Sequence, residues 1–99
     1  MINPIEQLNK AFDNRIRLGI MSALMVNSEI NFIELKELLQ LTDGNLASHL
    51  KTLEDHQYIQ VKKGFIGRKT NTRYSITKNG EKQFKQHLAA LEKMIRSMQ

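Results

Sequence analysis

Four polar residues, Asn45, Ser48, Lys51 and Thr52, recur at the three- and four-residue spacing that gathers side chains on one side of a helix. Leu46, Leu50 and Leu53 take the other side. A helix that needed only to be soluble would carry Glu and Lys outward, since Asn, Ser and Thr are weaker helix formers. Short amides and hydroxyls instead suit close hydrogen bonding, as donors and as acceptors. A second group lies downstream, where Arg68, Lys69 and Arg73 interleave with Thr70, Asn71 and Thr72 and join positive charge to hydrogen bonding. Bond-making chemistry has no such support. His49, His56 and His87 are scattered without metal-ligand spacing, and no glycine-rich phosphate loop or nucleophile with an evident base is present. Glu54 and Asp55 are adjacent and point to different sides of a helix. No enzyme, metal or cofactor is expected.

The chain has 99 residues, room for a single domain (1–99) with one modest core. Fifteen Lys and Arg against ten Asp and Glu leave a formal charge of +5, which favours a polyanionic partner. There is no cysteine, so disulfides and thiolate metal sites are excluded. "MINPIEQLNK" has no basic stretch followed by an apolar run, so no signal peptide is expected. The most apolar region, Ile16 to Val26, is broken by Arg17, Gly19 and Ser22 and is too short to span a bilayer. The expectation is a cytoplasmic globular domain.

The positioning elements follow from periodicity and caps. Asn3, Pro4 and Glu6 read as the start of a first helix, whose apolar face is Ile5, Leu8 and Phe12. Asp13 can cap a second helix with the inner stripe Ile16, Ile20, Ala23 and Leu24. Ile30 to Phe32 could form a very short strand, and Asn31 with Glu34 is a capping pair for a third helix over 33–39. After a turn at Leu41 and Thr42 comes the fourth helix, 43–57, which carries the first polar group. Alternation over 58–61 and again over 73–77 predicts two strands. Between them "KKGFIGRKTNTR" reads as a hairpin with a long basic tip, from which Phe65 and Ile66 would pack back onto the domain. Thr77 caps a last helix over 78–98. The fold class is mainly α with a small β-hairpin wing, in the order α-α-(β)-α-α-β-β-α.

Two helices joined by a short turn and followed by a hairpin make a winged helix-turn-helix. An α-helix fits the DNA major groove, where base edges offer donors and acceptors, and a Glu-rich face would repel the phosphates. The polar face of 43–57 therefore reads as a recognition helix. The basic wing, 64–73, suits backbone phosphates or a minor groove. His49 lies on the flank of the helix, where a DNA contact and a half-buried ring satisfied by a backbone group are both open. Asp55 would meet phosphate unfavourably and is left out. A basic hairpin can also simply guard a sheet edge. The alternative function is a winged-helix protein–protein interaction module without DNA binding.

The segments "FDNRIRLGIMSAL", "LTDGNLASHLKTLEDHQYIQVKKGFIGRKTNTRYSIT" and "KNG" resemble winged-helix transcriptional regulators of the MarR/ArsR type, most of all the short single-domain group. The resemblance spans Phe12 to Gly80 and implies a dimeric DNA-binding repressor or activator. By position it implies recognition-helix contacts at Thr42, Asn45, Ser48, His49, Lys51 and Thr52, and wing contacts at Arg68, Lys69, Thr70 and Arg73. Arg17 matches an arginine of the family's second helix that is structural or touches a phosphate. The chain departs from the pattern in three ways. Gln57 stands where the family often has a C-capping glycine. The thiolates of metal-sensing members are absent, and the helical bulk that holds phenolic ligands in longer members is missing. A small-molecule effector is therefore unknown, though Phe12, Met21, Met25 and Met94 could line an apolar crevice.

Phe84, Leu88, Leu91, Ile95 and Met98 follow at intervals of four, three, four and three, a heptad seam by which two helices pack together. Part of it can pack on Ile5, Leu8 and Phe12 within the chain. One short helix cannot cover the whole stripe, so a homodimer is expected, with dimerisation helices over about 3–12 and 78–98. It would place two recognition helices about 34 Å apart on a pseudo-palindromic operator in double-stranded DNA.

Overall fold

A computed structural model describes residues 3–97, so Met98 lies outside the described residues. Helix α1 (Arg15–Val26) is followed by strand β1 (Ile30–Asn31), helices α2 (Phe32–Leu39) and α3 (Asp43–Asp55), strands β2 (Ile59–Ile66) and β3 (Lys69–Ile76), and helix α4 (Lys78–Ser97). The antiparallel sheet has the order β1-β3-β2. This is the winged-helix architecture. One expected helix does not form. Instead of a first helix, Pro4–Gln7 and Lys10–Phe12 form two 3-10 turns. Asn9 is the cause: its side chain accepts from the Ala11 N–H at 2.9 Å, which offers the backbone a local partner in place of the helical ladder. A similar competition moves the cap of α1 from Asp13 to Asn14, whose Oδ1 accepts from Ile16 and Arg17 N–H at 2.9 and 3.0 Å.

Phe12, Ile20, Met21, Leu24 and Leu35 pack with Leu46, Leu50 and Leu53 of α3, Ile59 and Tyr74 of the sheet, and Phe84 of α4. Phe12 meets Phe84 edge-on at 5.2 Å and Tyr58 at 5.1 Å. The suggested crevice does not form around Phe12 and Met21, which are 2% and 0% exposed and fill the core.

The end of α3 resolves the missing glycine. Gln57 itself adopts the left-handed conformation at φ 63°. Tyr58 N–H then donates to the Leu53 carbonyl at 3.0 Å and Gln57 N–H to that of Glu54 at 2.9 Å, the paired bonds of a Schellman cap. The side chain makes that conformation cost about 1–2 kcal/mol. Three contacts hold the junction. Thr77 donates through Oγ1 to the Gln57 carbonyl at 2.8 Å and through its N–H to the Tyr58 carbonyl at 3.0 Å. Gly80, in the first turn of α4, lies so close that a Cβ there would stand 2.0 Å from the Tyr58 oxygen.

The hairpin corrects the expected long tip. Strands β2 and β3 pair all the way to Ile66 opposite Lys69, which leaves only Gly67 and Arg68 as the loop. Gly67 has φ 62° at the first loop position, where a tight II′ turn needs a positive φ. Phe65 and Ile66 do not pack back. They are 74% and 69% exposed, because the ladder carries them beyond the reach of the core.

The seam of α4 is divided. Gly80, Phe84, His87 and Ala90 face the chain's own core, so Phe84 is not available to a second copy. Leu88 and Ile95, the other row of the heptad, are exposed, and Leu91 is half-buried. His87 sits on Phe12, and its Nδ1 accepts from the Asn9 N–H at 3.0 Å. A backbone amide can only donate, so the ring is neutral. Burial pushes its pKa below the ordinary histidine value, against a smaller upward pull from Asp13.

Candidate nucleic-acid interface

Burying Leu46, Leu50 and Leu53 turns the opposite side of α3 outward. Asn45, Ser48 and Lys51 are exposed, and Thr52 is half-buried with Oγ1 donating to the Ser48 carbonyl at 3.2 Å. Thr42 caps the helix, accepting from the Asn45 N–H at 3.2 Å, so its hydroxyl has a structural task. Lys36 and Asp43 pair at 2.8 Å across the turn from α2. Lys51 pairs with Asp55 at 3.0 Å, and that hydrogen bond and charge hold its ammonium pKa above the ordinary value. An exposed pair of this kind is weak, so Lys51 can exchange it for another anion.

His49 is not satisfied by a backbone group. Its Nδ1 stands 2.9 Å from Nη1 of Arg17, whose Nε donates to the Ala11 carbonyl at 2.6 Å. Arg17 thus ties α1, the N-terminal segment and α3 together.

On the wing, Arg68, Lys69 and Thr70 are exposed at the tip. Arg73 does not join them. It stands in mid-sheet opposite Asn31 and Lys62, and its Nη1 donates to Glu29 Oε1 at 3.0 Å. The placement follows from the long ladder: Arg73 is four residues back along β3 from Lys69, near its base.

Two further groups are exposed and escaped the reading of polar residues. Lys62 and Lys63 are exposed on β2, and Gly44 and Ala47 are exposed on α3. The signal for the lysines is in the sequence. From His56 to Gly80 there is no acidic residue, while Lys62, Lys63, Arg68, Lys69, Arg73 and Lys78 are basic. Gly44 carries a subtler one. A Cβ there would meet nothing within 4 Å and its φ is not positive, so the fold itself has no need of glycine. A bare backbone at that point permits close approach from outside.

Among the described residues no group of His, Asp and Glu is placed to hold a metal ion, and no helix is long and apolar enough to cross a membrane. The arrangement offers hydrogen bonding and positive charge.

Known proteins share the fold. A family model described as a winged helix DNA-binding domain matches residues 16–95. An uncharacterised protein of Methanocaldococcus jannaschii is 33% identical over 90 residues, 91% of this chain and 98% of that protein. The structure of a transcriptional regulator homologue from Pyrococcus horikoshii superposes with a TM-score of 0.89 at 28% identity, covering 98% of each chain. The fold alone is shared with Bacillus subtilis PadR, solved in complex with operator DNA, at a TM-score of 0.67 and 17% identity over 76% of this chain and 47% of that one. These matches and the geometry agree on a non-enzymatic regulator fold, and the chain belongs to the winged helix DNA-binding domain family.

Proposed function

We propose that this protein is a cytoplasmic transcriptional regulator that binds a pseudo-palindromic operator as a homodimer of single-domain chains. Helix α3 enters the major groove, with Asn45, Ser48, His49, Lys51 and Thr52 toward the bases and Thr42 at its mouth. Arg68, Lys69 and Thr70 of the wing hold the backbone or the minor groove. Arg73 contributes less, because Glu29 already engages it.

The observation that carries this reading is the acid-free, six-cation stretch from His56 to Gly80 beside a helix whose exposed face is short and polar. Phosphates reward the first feature and base edges the second. PadR, which this chain resembles in fold, was solved in complex with operator DNA, which supports a DNA partner here. For the dimer, the support is the apolar surface at the other end of the molecule. Ile5, Leu88 and Ile95 are exposed, and Leu8 and Leu91 line a groove of about 470 Å³ beside them.

Titration against duplex DNA at two salt concentrations tests the reading. Affinity falls steeply with salt, because each neutralised phosphate releases counterions. The double variant Arg68→Ala, Lys69→Ala weakens all sequences alike and flattens the salt slope by about one to two units. Asn45→Ala or Ser48→Ala relaxes preference at particular base pairs, by about 1–3 kcal/mol for a good contact. Absence of duplex binding even at low salt would instead favour a protein–protein module.

A further inference from the structure

Arg17 lies on α1, behind the surface assigned to DNA, and its guanidinium reaches in two directions. Nε donates to the Ala11 carbonyl at 2.6 Å, and Nη1 stands 2.9 Å from His49 Nδ1. A guanidinium has no lone pair to offer and stays protonated. His49 Nδ1 must therefore accept, which places the ring proton on Nε2 and excludes the imidazolium while the bond holds. The protein environment favours the same state: burial first, and the Arg17 charge second, hold the His49 pKa below its ordinary value. The two nitrogens flank Cε1 on opposite sides, so with Nδ1 turned toward α1 the Nε2–H is directed away from it. Among the described residues His49 has Arg17 as its hydrogen-bond partner, and the ring remains partly exposed on the helix that presents Asn45 and Ser48.

We propose that Arg17 is a positioning residue for DNA recognition, locking His49 as the Nε2–H tautomer so that it offers a single donor to the major groove. His49 then selects an acceptor on a base edge, such as a purine N7 or thymine O4, and disfavours a donor at that place. Free imidazole would offer either tautomer and could tolerate both. In this proposal Arg17 acts through His49 and not through a phosphate, with Nε and Nη1 engaged on the protein side. The inference rests on the DNA-binding reading and deepens it.

The full chain is tested in two measurements. Nitrogen-15 shifts of the imidazole report the tautomer in the free wild-type protein without any substitution: Nδ1 bare and Nε2 protonated is expected. In Arg17→Gln the ring should sample both tautomers and titrate at a higher pH. The second measurement is a double-mutant cycle on the duplex that the wild-type protein selects from a random pool. Arg17→Gln and His49→Ala each lower affinity about tenfold, and the pair together loses no more than His49→Ala alone. The salt slope stays at its wild-type value throughout. Additive losses, or a slope flattened by about one unit in Arg17→Gln, would mean a direct phosphate contact and overturn the proposal. So would a wild-type ring protonated on Nδ1 in a chain that binds duplex. If the ring shows the Nε2–H tautomer but no duplex binds at low salt, the DNA-binding reading itself has failed, and with it any recognition role for the pair.

Discussion

Helices α3 and α4 each start on a threonine cap with a glycine in the first turn: Thr42 with Gly44, and Thr77 with Gly80. The two glycines have opposite surroundings. Gly80 is pressed against the Tyr58 carbonyl, where no side chain fits, while Gly44 faces open space. The outward faces differ in the same sense. That of α3 is short and polar, whereas that of α4 sets Leu88 and Ile95 among Lys, Gln and Glu. Within the chain, a missing side chain at Gly80 is explained by a neighbour that is present. At Gly44, and at Leu88 and Ile95, nothing among the described residues accounts for the residue. In the proposed function those positions meet something else: a hydrogen-bonding groove at α3, an apolar partner at α4.

The sharpest way to break this comparison is on α4. Leu88→Lys with Ile95→Lys should leave a folded monomer, because neither side chain is in the chain's own core. Operator affinity should fall by about 10²–10⁴-fold as the second half-site loses its tether. Sedimentation of the variant and the wild type checks it, and a wild-type chain that is already monomeric at micromolar concentration would refute the dimer. Gly80→Ala tests the protein's own half of the contrast. The added methyl forces the start of α4 off Tyr58 in the junction after α3, and a chemical melt should record a loss of about 1–3 kcal/mol or more. An unchanged midpoint would mean that the α4 junction yields easily. The smallest effect is expected at Gly44, and its sign is the informative part. Gly44→Ala should hold or raise stability, by up to about 1 kcal/mol, while weakening duplex binding a few-fold. If stability and DNA affinity rose together, close approach at Gly44 would be the wrong explanation.

Much of this contrast was legible in the residues because it is local. The Asn31 and Glu34 capping box needs only a three-residue separation, and both of its bonds form, at 2.8 and 3.3 Å. Leu46, Leu50 and Leu53 are buried where their spacing put them. Local chemistry also misled. Ile5, Leu8 and Phe12 have helical spacing, yet Asn9 diverts the backbone into two separate turns. The basic cluster was read as one group because Arg68, Lys69 and Arg73 are close in sequence. A β-ladder advances more than 3 Å per residue, so the same residues are drawn apart along the wing.

The sequence by itself determined the order of elements from α1 onward, the buried and exposed faces of α3, the cap of α4 and the cationic character of the wing. Each depends on periodicity, a short-range hydrogen bond or the count of charges. Only the tertiary structure decided that Phe84 turns inward while Leu88 and Ile95 stay out, that Glu29 claims Arg73, and that Arg17 reaches His49. Glu29 and Arg73 are 44 residues apart, and Arg17 and His49 are 32 apart. Pairs at that separation meet only when packing of the core has set the helices and the sheet against one another, and that packing is a property of the whole chain, which no local stretch encodes.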